Sequence, residues 1–230
     1  MPAQSASPES FPSSRYVGIL LAGGEGARFR ASAGDDQADK LLTPLPDGRP
    51  VALAAAAALR EVAGRVLVVL RPGRPALREV LARVPGCELI ETTDAARGMG
   101  ASLAAAARHL LAWHANVDAD ADADAGRNAD RNANVVHPQG VLVALGDMPW
   151  IAPRTLRAVC AAGLMHPVVA PVCDGQRGHP VAFAWDLLPQ LARLNGDTGA
   201  RELLRRHGVH LLPCDDPGVL RDVDTVADLG

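Results

Sequence analysis

Apolar positions along the chain come in short blocks, with alanine- and leucine-rich stretches between them. The blocks at Val17 to Ala22, Arg65 to Leu70, Cys87 to Glu91, Gly140 to Leu145 and Val168 to Val172 read as strands. Most of them lack the polar alternation of a half-exposed strand, which marks burial on both faces. Between them, Val51 to Ala63, Pro75 to Val84, a stretch from Gly98 to about Trp113, and Pro153 to Ala162 read as helices. Pro75 and Pro153 stand at helix starts, where a missing N–H costs nothing. Further on, Pro180 to Ala184 predicts an extended return to the sheet, Asp186 to Leu194 a short helix, and Val209 to Pro213 a late strand. Asn195 to Arg201 reads as a polar loop entering a helix that ends near His207. Strands alternating with helices predict parallel pairing through crossover helices. The expected fold is therefore one α/β domain with a mostly parallel sheet.

Composition narrows the picture. The 230 residues suit one sizeable domain. Aromatic residues make up only 3% while apolar residues make up 48%, so the core must be built from Ala, Leu and Val. A net charge of −3 argues against a broad nucleic-acid surface. Cys87, Cys160, Cys173 and Cys214 form no C-x-x-C pair, which predicts reduced thiols in a cytoplasmic protein without structural zinc. Residues 1–15 hold Pro, Ser and Glu without an apolar core, so they read as a disordered tail ahead of a domain at 16–230. The longest apolar run, Val51 to Leu59, is too short to span a bilayer. The Asp–Ala repeat within 117–134 lacks the glycine and closing glutamate of a calcium loop and reads as a solvated insertion.

Chemistry concentrates first at Tyr16 to Lys40. A buried strand ends in Leu21 and Ala22, and Gly23, Gly24 and Gly26 follow at once. Glycine lets backbone N–H groups approach a ligand that a Cβ would hold away. Arg28 and Lys40 then supply positive charge, so the stretch suits a polyphosphate. Its spacing is neither a P-loop nor a dinucleotide fingerprint. A second glycine loop, Gly98 and Gly100 with Ser102, opens a helix and suits a ligand oxygen or base edge, though Ser102 suits a helix cap equally. Asp147 follows a buried strand, at the crevice where α/β sheets bind ligands. Asp222 and Asp224 alternate and point to one side of an extended segment. Asp147 with Asp224, or Asp222 as second choice, meets the needs of Mg²⁺, which takes one or two carboxylates and completes its shell with phosphate and water. His179 and the loop Asp197, Gly199 and Arg201 are further candidates for ligand contact.

Taken in order, LAGGEGAR, a downstream Lys-Leu-Leu, GMGASL, GDMP, RGHPVAF, GDTGAR and DVDT resemble the MobA-like nucleotidyltransferases. The chain is most similar to the molybdenum cofactor cytidylyltransferase (MocA-like) branch. The resemblance implies a single Rossmann-like three-layer α/β domain. It implies transfer of a nucleoside monophosphate from an NTP, CTP favoured over GTP, onto a phosphate-bearing acceptor such as molybdopterin cofactor, with Mg²⁺ and release of pyrophosphate. Leu21, Ala22, Gly23, Gly24, Gly26 and Arg28 would then hold the nucleotide, with Gly98, Gly100 and Ser102 near base and ribose. Lys40, or Arg30 in its place, would meet the phosphates. Asp147 and Asp224 would hold the metal, and His179, Asp197, Gly199 and Arg201 the acceptor. The expected protein is a monomer, with a molybdoenzyme as a further partner and neither nucleic acid nor membrane. Two departures stand out: nine residues, ASAGDDQAD, separate Arg30 from Lys40, and the first motif reads AGG where that branch more often has AAG. Two alternatives stay open: a sugar phosphate, polyol phosphate or guanylyl acceptor, or an accessory protein that binds nucleotide without turnover.

Overall fold

The computed structural model describes residues 15–124 and 138–229. Four strands, β1 (Tyr16–Leu21), β2 (Arg65–Leu70), β3 (Cys87–Glu91) and β4 (Gly140–Leu145), run parallel in the order β3-β2-β1-β4. β5 (Val168–Cys173) runs in the same direction but is separated from β4 by β7 (Val181–Ala184), which is antiparallel to both. The two-residue β6 (Gln176–Arg177) folds back on β5, and β8 (His210–Pro213) adds a parallel edge strand to it. The sheet is mostly parallel, as the apolar blocks predict. Orientation is the part those blocks do not encode, and β7 takes the antiparallel one.

Helices cover both faces, giving three layers. Leu20, Val66, Val68 and Leu142 pack against Leu59 of α2 (Val51–Arg60), Leu77 of α3 (Pro75–Ala82) and Leu156 of α5 (Pro153–Ala162). Ile19, Leu67, Val69, Val141 and Val143 face the other way. They meet Leu103, Ala106 and Leu110 of α4 (Met99–Asp124) and Leu188 and Leu191 of α6 (Leu188–Leu191). Each leucine fully buried in this way stabilises the fold by roughly 1.5–3 kcal/mol. With so few aromatics, the layers approach closely. A Cβ on Gly18 would meet Leu59 Cδ2 at 2.9 Å, so that glycine lets α2 settle onto β1.

Three stretches differ from the sequence reading. Ala27–Ala33 forms a helix, α1, that starts at Gly26 (φ 68°) and stops at Gly34 (φ 63°). Phe29 is its one buried residue, so no apolar period announces it. The helix expected to end near Trp113 continues to Asp124, since alanine in the Asp–Ala repeat favours helix. Residues 125–134 of that repeat, and 1–14 of the tail, lie outside the described residues. The GDTGAR stretch is not a loop but the first turns of α7 (Gly196–His207). Among the described residues, no helix is long and apolar enough to cross a membrane.

Candidate functional site

Strand register assembles the site. Leu21 pairs with Val69 and with Leu145, so β1, β2 and β4 end at one edge of the sheet. The ladder continues for one more residue, Ala22 N–H donating to Val69 O and Gly146 N–H to Leu21 O, each at 2.9 Å. Gly23 to Gly26, Arg71 and Asp147 therefore emerge side by side. At Gly23 a Cβ would meet the Ala95 Cβ at 2.8 Å, so the turn is tight. At Gly24 a Cβ would find nothing within 4 Å, so that residue faces open space. The nine residues before Lys40 do not carry it away. Its Cγ lies 3.7 Å from where a Cβ on Gly26 would stand.

Lys40 is the centre of the cluster. Its side chain is only 9% exposed, and its ammonium lies 2.6 Å from Asp147 Oδ2 and 3.6 Å from Asp224 Oδ1. The exposed Arg28 approaches the other oxygen of Asp224 at 2.5 Å. Asp224 reaches this place because Val223 N–H donates to Asp147 O at 2.9 Å. Asp222 is close enough to feel the same charges. Burial, then Asp224 and Asp147, push its carboxyl above the ordinary range, against the opposing pull of Lys40.

The donor set fits a hard divalent cation. Asp147 Oδ1 is buried and has no hydrogen-bond partner, an arrangement a carboxylate does not keep without cost. Among the described residues, no group of three or more His, Cys, Asp or Glu side chains forms a complete metal cage. Two carboxylates with the remaining shell left to ligand oxygens is the pattern of Mg²⁺ or Mn²⁺ sites that form with a phosphate.

Three cavities follow one another along this edge. The first, about 400 Å³, is lined by Gly24, Gly26, Arg30, Lys40, Arg71 and Arg74 among others. The second, about 230 Å³, lies between Gly23, Gly24, Gly98, Ser102 and Asp147. Gly98 has φ 111° at the turn into α4, and Ser102 Oγ donates back to Gly98 O at 3.2 Å, so the hydroxyl serves the helix start. Gly100 lines the third cavity instead, also about 230 Å³, with the apolar Leu21, Val143, Phe183 and Leu204 and the polar His179, Arg177 and Arg201. Burial holds the His179 imidazole below its usual pKa, against the opposing effects of a Val143 backbone contact and the Asp147 charge, so it is neutral at pH 7. Asp197 and Gly199 lie in the first turns of α7, and their side chains are outside the described residues. The sequence candidates thus divide into two groups. Arg28, Lys40, Asp147, Asp222 and Asp224 gather at the carboxylate cluster, while His179 and Arg201 line the third cavity.

Sequence reasoning missed Arg71, Arg74 with its partner Asp39, and Asp216. Arg71 Nη1 donates to Glu25 Oε1 at 2.9 Å. Arg74 Nη1 reaches Ala22 O at 3.3 Å and Gly24 O at 3.4 Å, and its other terminal nitrogen pairs with Asp39. The signal was present: two cations in R-P-G-R-P, directly after the carboxyl end of a buried strand. Asp216, 4% exposed, accepts from Ala152 N–H at 2.9 Å, Thr155 Oγ1 at 2.6 Å and Gly218 N–H at 3.1 Å. It pins the segment before Asp222 to the start of α5, and nothing in its sequence context announces that role.

The MobA-like NTP transferase domain family matches residues 18–211. No curated protein matches the chain. Among solved structures, the chain is similar to Rv0371c from Mycobacterium tuberculosis H37Rv at 26% identity and TM-score 0.68, covering 95% of this chain and 96% of that one. A complex of the same Rv0371C with manganese is similar at 26% identity and TM-score 0.63, with 94% and 96% covered. Molybdopterin-guanine dinucleotide biosynthesis protein A from Archaeoglobus fulgidus shares the fold at 18% identity and TM-score 0.56, with 93% and 94% covered. A family match over most of the chain, on a sheet edge that presents a glycine loop beside paired carboxylates, makes this protein a member of the MobA-like NTP transferase family and a nucleotidyltransferase.

Proposed function

We propose that the protein transfers a nucleoside monophosphate from an NTP, CTP favoured over GTP, onto a phosphate-bearing acceptor of the molybdopterin type, with Mg²⁺ and release of pyrophosphate. The observation behind this reading is the meeting of Lys40, Asp147 and Asp224 beside the Gly23–Gly26 turn. Manganese in the Rv0371C complex supports a divalent ion at the carboxylates. The mostly apolar third cavity, with Arg177 and Arg201 at hand, supports an acceptor that combines a ring system with an anionic group over a small sugar phosphate. The protein acts in the cytoplasm as a monomer and hands its product to a molybdoenzyme.

The geometry suggests how this chain's residues share the work. Backbone N–H groups at Gly23 to Gly26 donate to phosphate oxygens, and Arg28, Arg30 and Lys40 offset their charge. The base and ribose lie against Gly98, Gly100 and Ser102. His179 and the start of α7, with Asp197, Gly199 and Arg201, orient the acceptor. An acceptor phosphate oxygen attacks the α-phosphorus in line, the bond from that phosphorus to the bridging oxygen breaks, and pyrophosphate leaves. Asp147 and Asp224 would hold the divalent ion, which supplies Lewis-acid neutralisation of the phosphates.

Pyrophosphate release tests the reading, measured with each of the four NTPs, molybdopterin or sugar-phosphate acceptors, and Mg²⁺. CTP with the pterin acceptor is expected to be fastest. Asp147→Asn should lower that rate by about a hundredfold or more, the usual loss when one charge-stabilising group is removed. Near-normal turnover by Asp147→Asn at saturating Mg²⁺ would overturn the metal assignment. A faster reaction with a polyol phosphate would replace the acceptor.

A further inference from the structure

We propose that Arg74 is a positioning residue: one guanidinium sets the peptide orientations of the glycine turn and ties that turn to the segment that carries Lys40. The proposal deepens the nucleotidyltransferase reading and rests on it for the identity of the ligand. Arg74 stands just before α3, and its side chain is 20% exposed. Nη1 is shared between the carbonyls of Ala22 and Gly24, at 3.3 and 3.4 Å. Nη2 pairs with Asp39 Oδ2. Asp39 in turn organises the chain around Lys40. Its Oδ1 accepts Leu41 N–H at 3.0 Å, and its backbone carbonyl accepts the N–H groups of Leu42 and Thr43 at 3.0 Å each.

Peptide planarity turns these contacts into an aiming device. In a trans peptide the C=O and the following N–H point in opposite directions. Holding the carbonyls of Ala22 and Gly24 toward Arg74 therefore turns the N–H groups of Gly23 and Glu25 away from it. Neither amide donates to an acceptor among the described residues, so both are free to meet an anionic ligand. A turn with three glycines has much conformational entropy to lose on folding, and an unpinned one would present its amides in many directions. Arginine suits the task because its fixed fork engages two carbonyls and a carboxylate at once. A lysine is a single point donor on a flexible stem. Arg71 makes a useful contrast. It reaches the same turn only through the Glu25 side chain, which is 65% exposed, and so holds no backbone there.

The test compares Arg74→Lys, Arg74→Gln and Asp39→Asn with Arg83→Gln, in the full chain. Amide hydrogen exchange without nucleotide reads Ala22 and Leu41 to Thr43. NTP KM, acceptor KM and kcat are measured in parallel. The two Arg74 variants and Asp39→Asn are expected to speed exchange at both segments. They should also raise the NTP KM and lower kcat by roughly tenfold each, the scale of a lost charge-assisted hydrogen bond, with acceptor KM unchanged. Arg83→Gln, which removes only the exposed pair with Glu79 at the end of α3, should stay within about twofold of wild type, as exposed ion pairs usually do. A merely structural arginine would instead shift both KM values or neither, and Arg74→Lys would restore function. Full activity in Arg74→Lys, or unchanged exchange in Arg74→Gln, overturns the proposal. Should Arg74→Gln fail to fold, Asp39→Asn cuts the same link from its other end. If wild type releases no pyrophosphate with any NTP, the transferase reading fails alone, and exchange still decides the role of Arg74.

Discussion

Replacing Lys40 by methionine removes the cation between Asp147 and Asp224 while keeping a stem that packs beside Gly26. The ammonium is 2.6 Å from one carboxylate and 3.6 Å from the other. At an effective dielectric of about 20, these contacts correspond to Coulomb attractions of roughly 6 and 4–5 kcal/mol. Desolvating a side chain that is 9% exposed takes back most of that gain. Breaking a fully buried pair costs about 3–5 kcal/mol, because the partner charge is stranded. Here the carboxylates are 21% and 25% exposed, so water shares the load and the expected loss is smaller. We expect about 2–3 kcal/mol, or a fall in Tm of roughly 4–12 °C for a domain of this size. The assay is thermal unfolding of wild type and Lys40→Met in EDTA at pH 7, repeated with millimolar Mn²⁺. In the variant Asp147 loses its cation and Asp224 keeps only the exposed Arg28, so Mn²⁺ should raise its Tm more than it raises that of wild type. Equal stability in EDTA, or equal responses to Mn²⁺, would refute the view that Lys40 balances the pair.

Gly24→Ala should leave Tm within about 1 °C of wild type, since its Cβ meets nothing within 4 Å, yet weaken NTP binding in a thermal-shift or calorimetric titration. Unchanged NTP affinity would remove the glycine turn from the ligand site. Asp216→Ala strips three hydrogen bonds from a buried cluster and should cost about 3 kcal/mol in urea unfolding; a loss under about 1 kcal/mol would contradict its anchoring role. Glu88 is drawn upward by burial, but hydrogen bonds from Arg65 and His109 outweigh this and hold its carboxyl below the ordinary value. A depressed carboxyl stabilises the fold above its unfolded pKa, and that contribution fades as pH falls through the folded value. Glu88→Gln should therefore lower stability at pH 7 by at most about 1 kcal/mol and by less at pH 3 than at pH 7, as read by denaturation at the two pH values.

The layered fold was legible because buried parallel strands are written as unbroken apolar runs. β2, β3 and β4 begin and end where those runs do. What stayed hidden was information that pattern does not hold. α1 buries Phe29 alone, so its only marks are the bracketing glycines. β7 is antiparallel because of how it leaves the β6 hairpin, and the alternation of residues is the same in either direction. At the site, Asp147 was readable from its place at the end of a buried strand. Its pairing with Asp224 was an expectation from the sequence, but their adjacency was not legible, because it depends on one backbone hydrogen bond, Val223 to Asp147, between distant parts of the chain. Arg74 and Asp39 looked like ordinary loop charges until the structure set them against each other.

The family match ends at residue 211, yet Asp216 and Asp224 lie beyond it. During translation every strand of the sheet is synthesised before these two residues emerge. A nascent chain can thus bury its core early, since folding during synthesis starts from the N-terminal side. Asp224 is made after every strand among the described residues, so its approach to Asp147 can be completed only once the sheet that carries Asp147 has been synthesised.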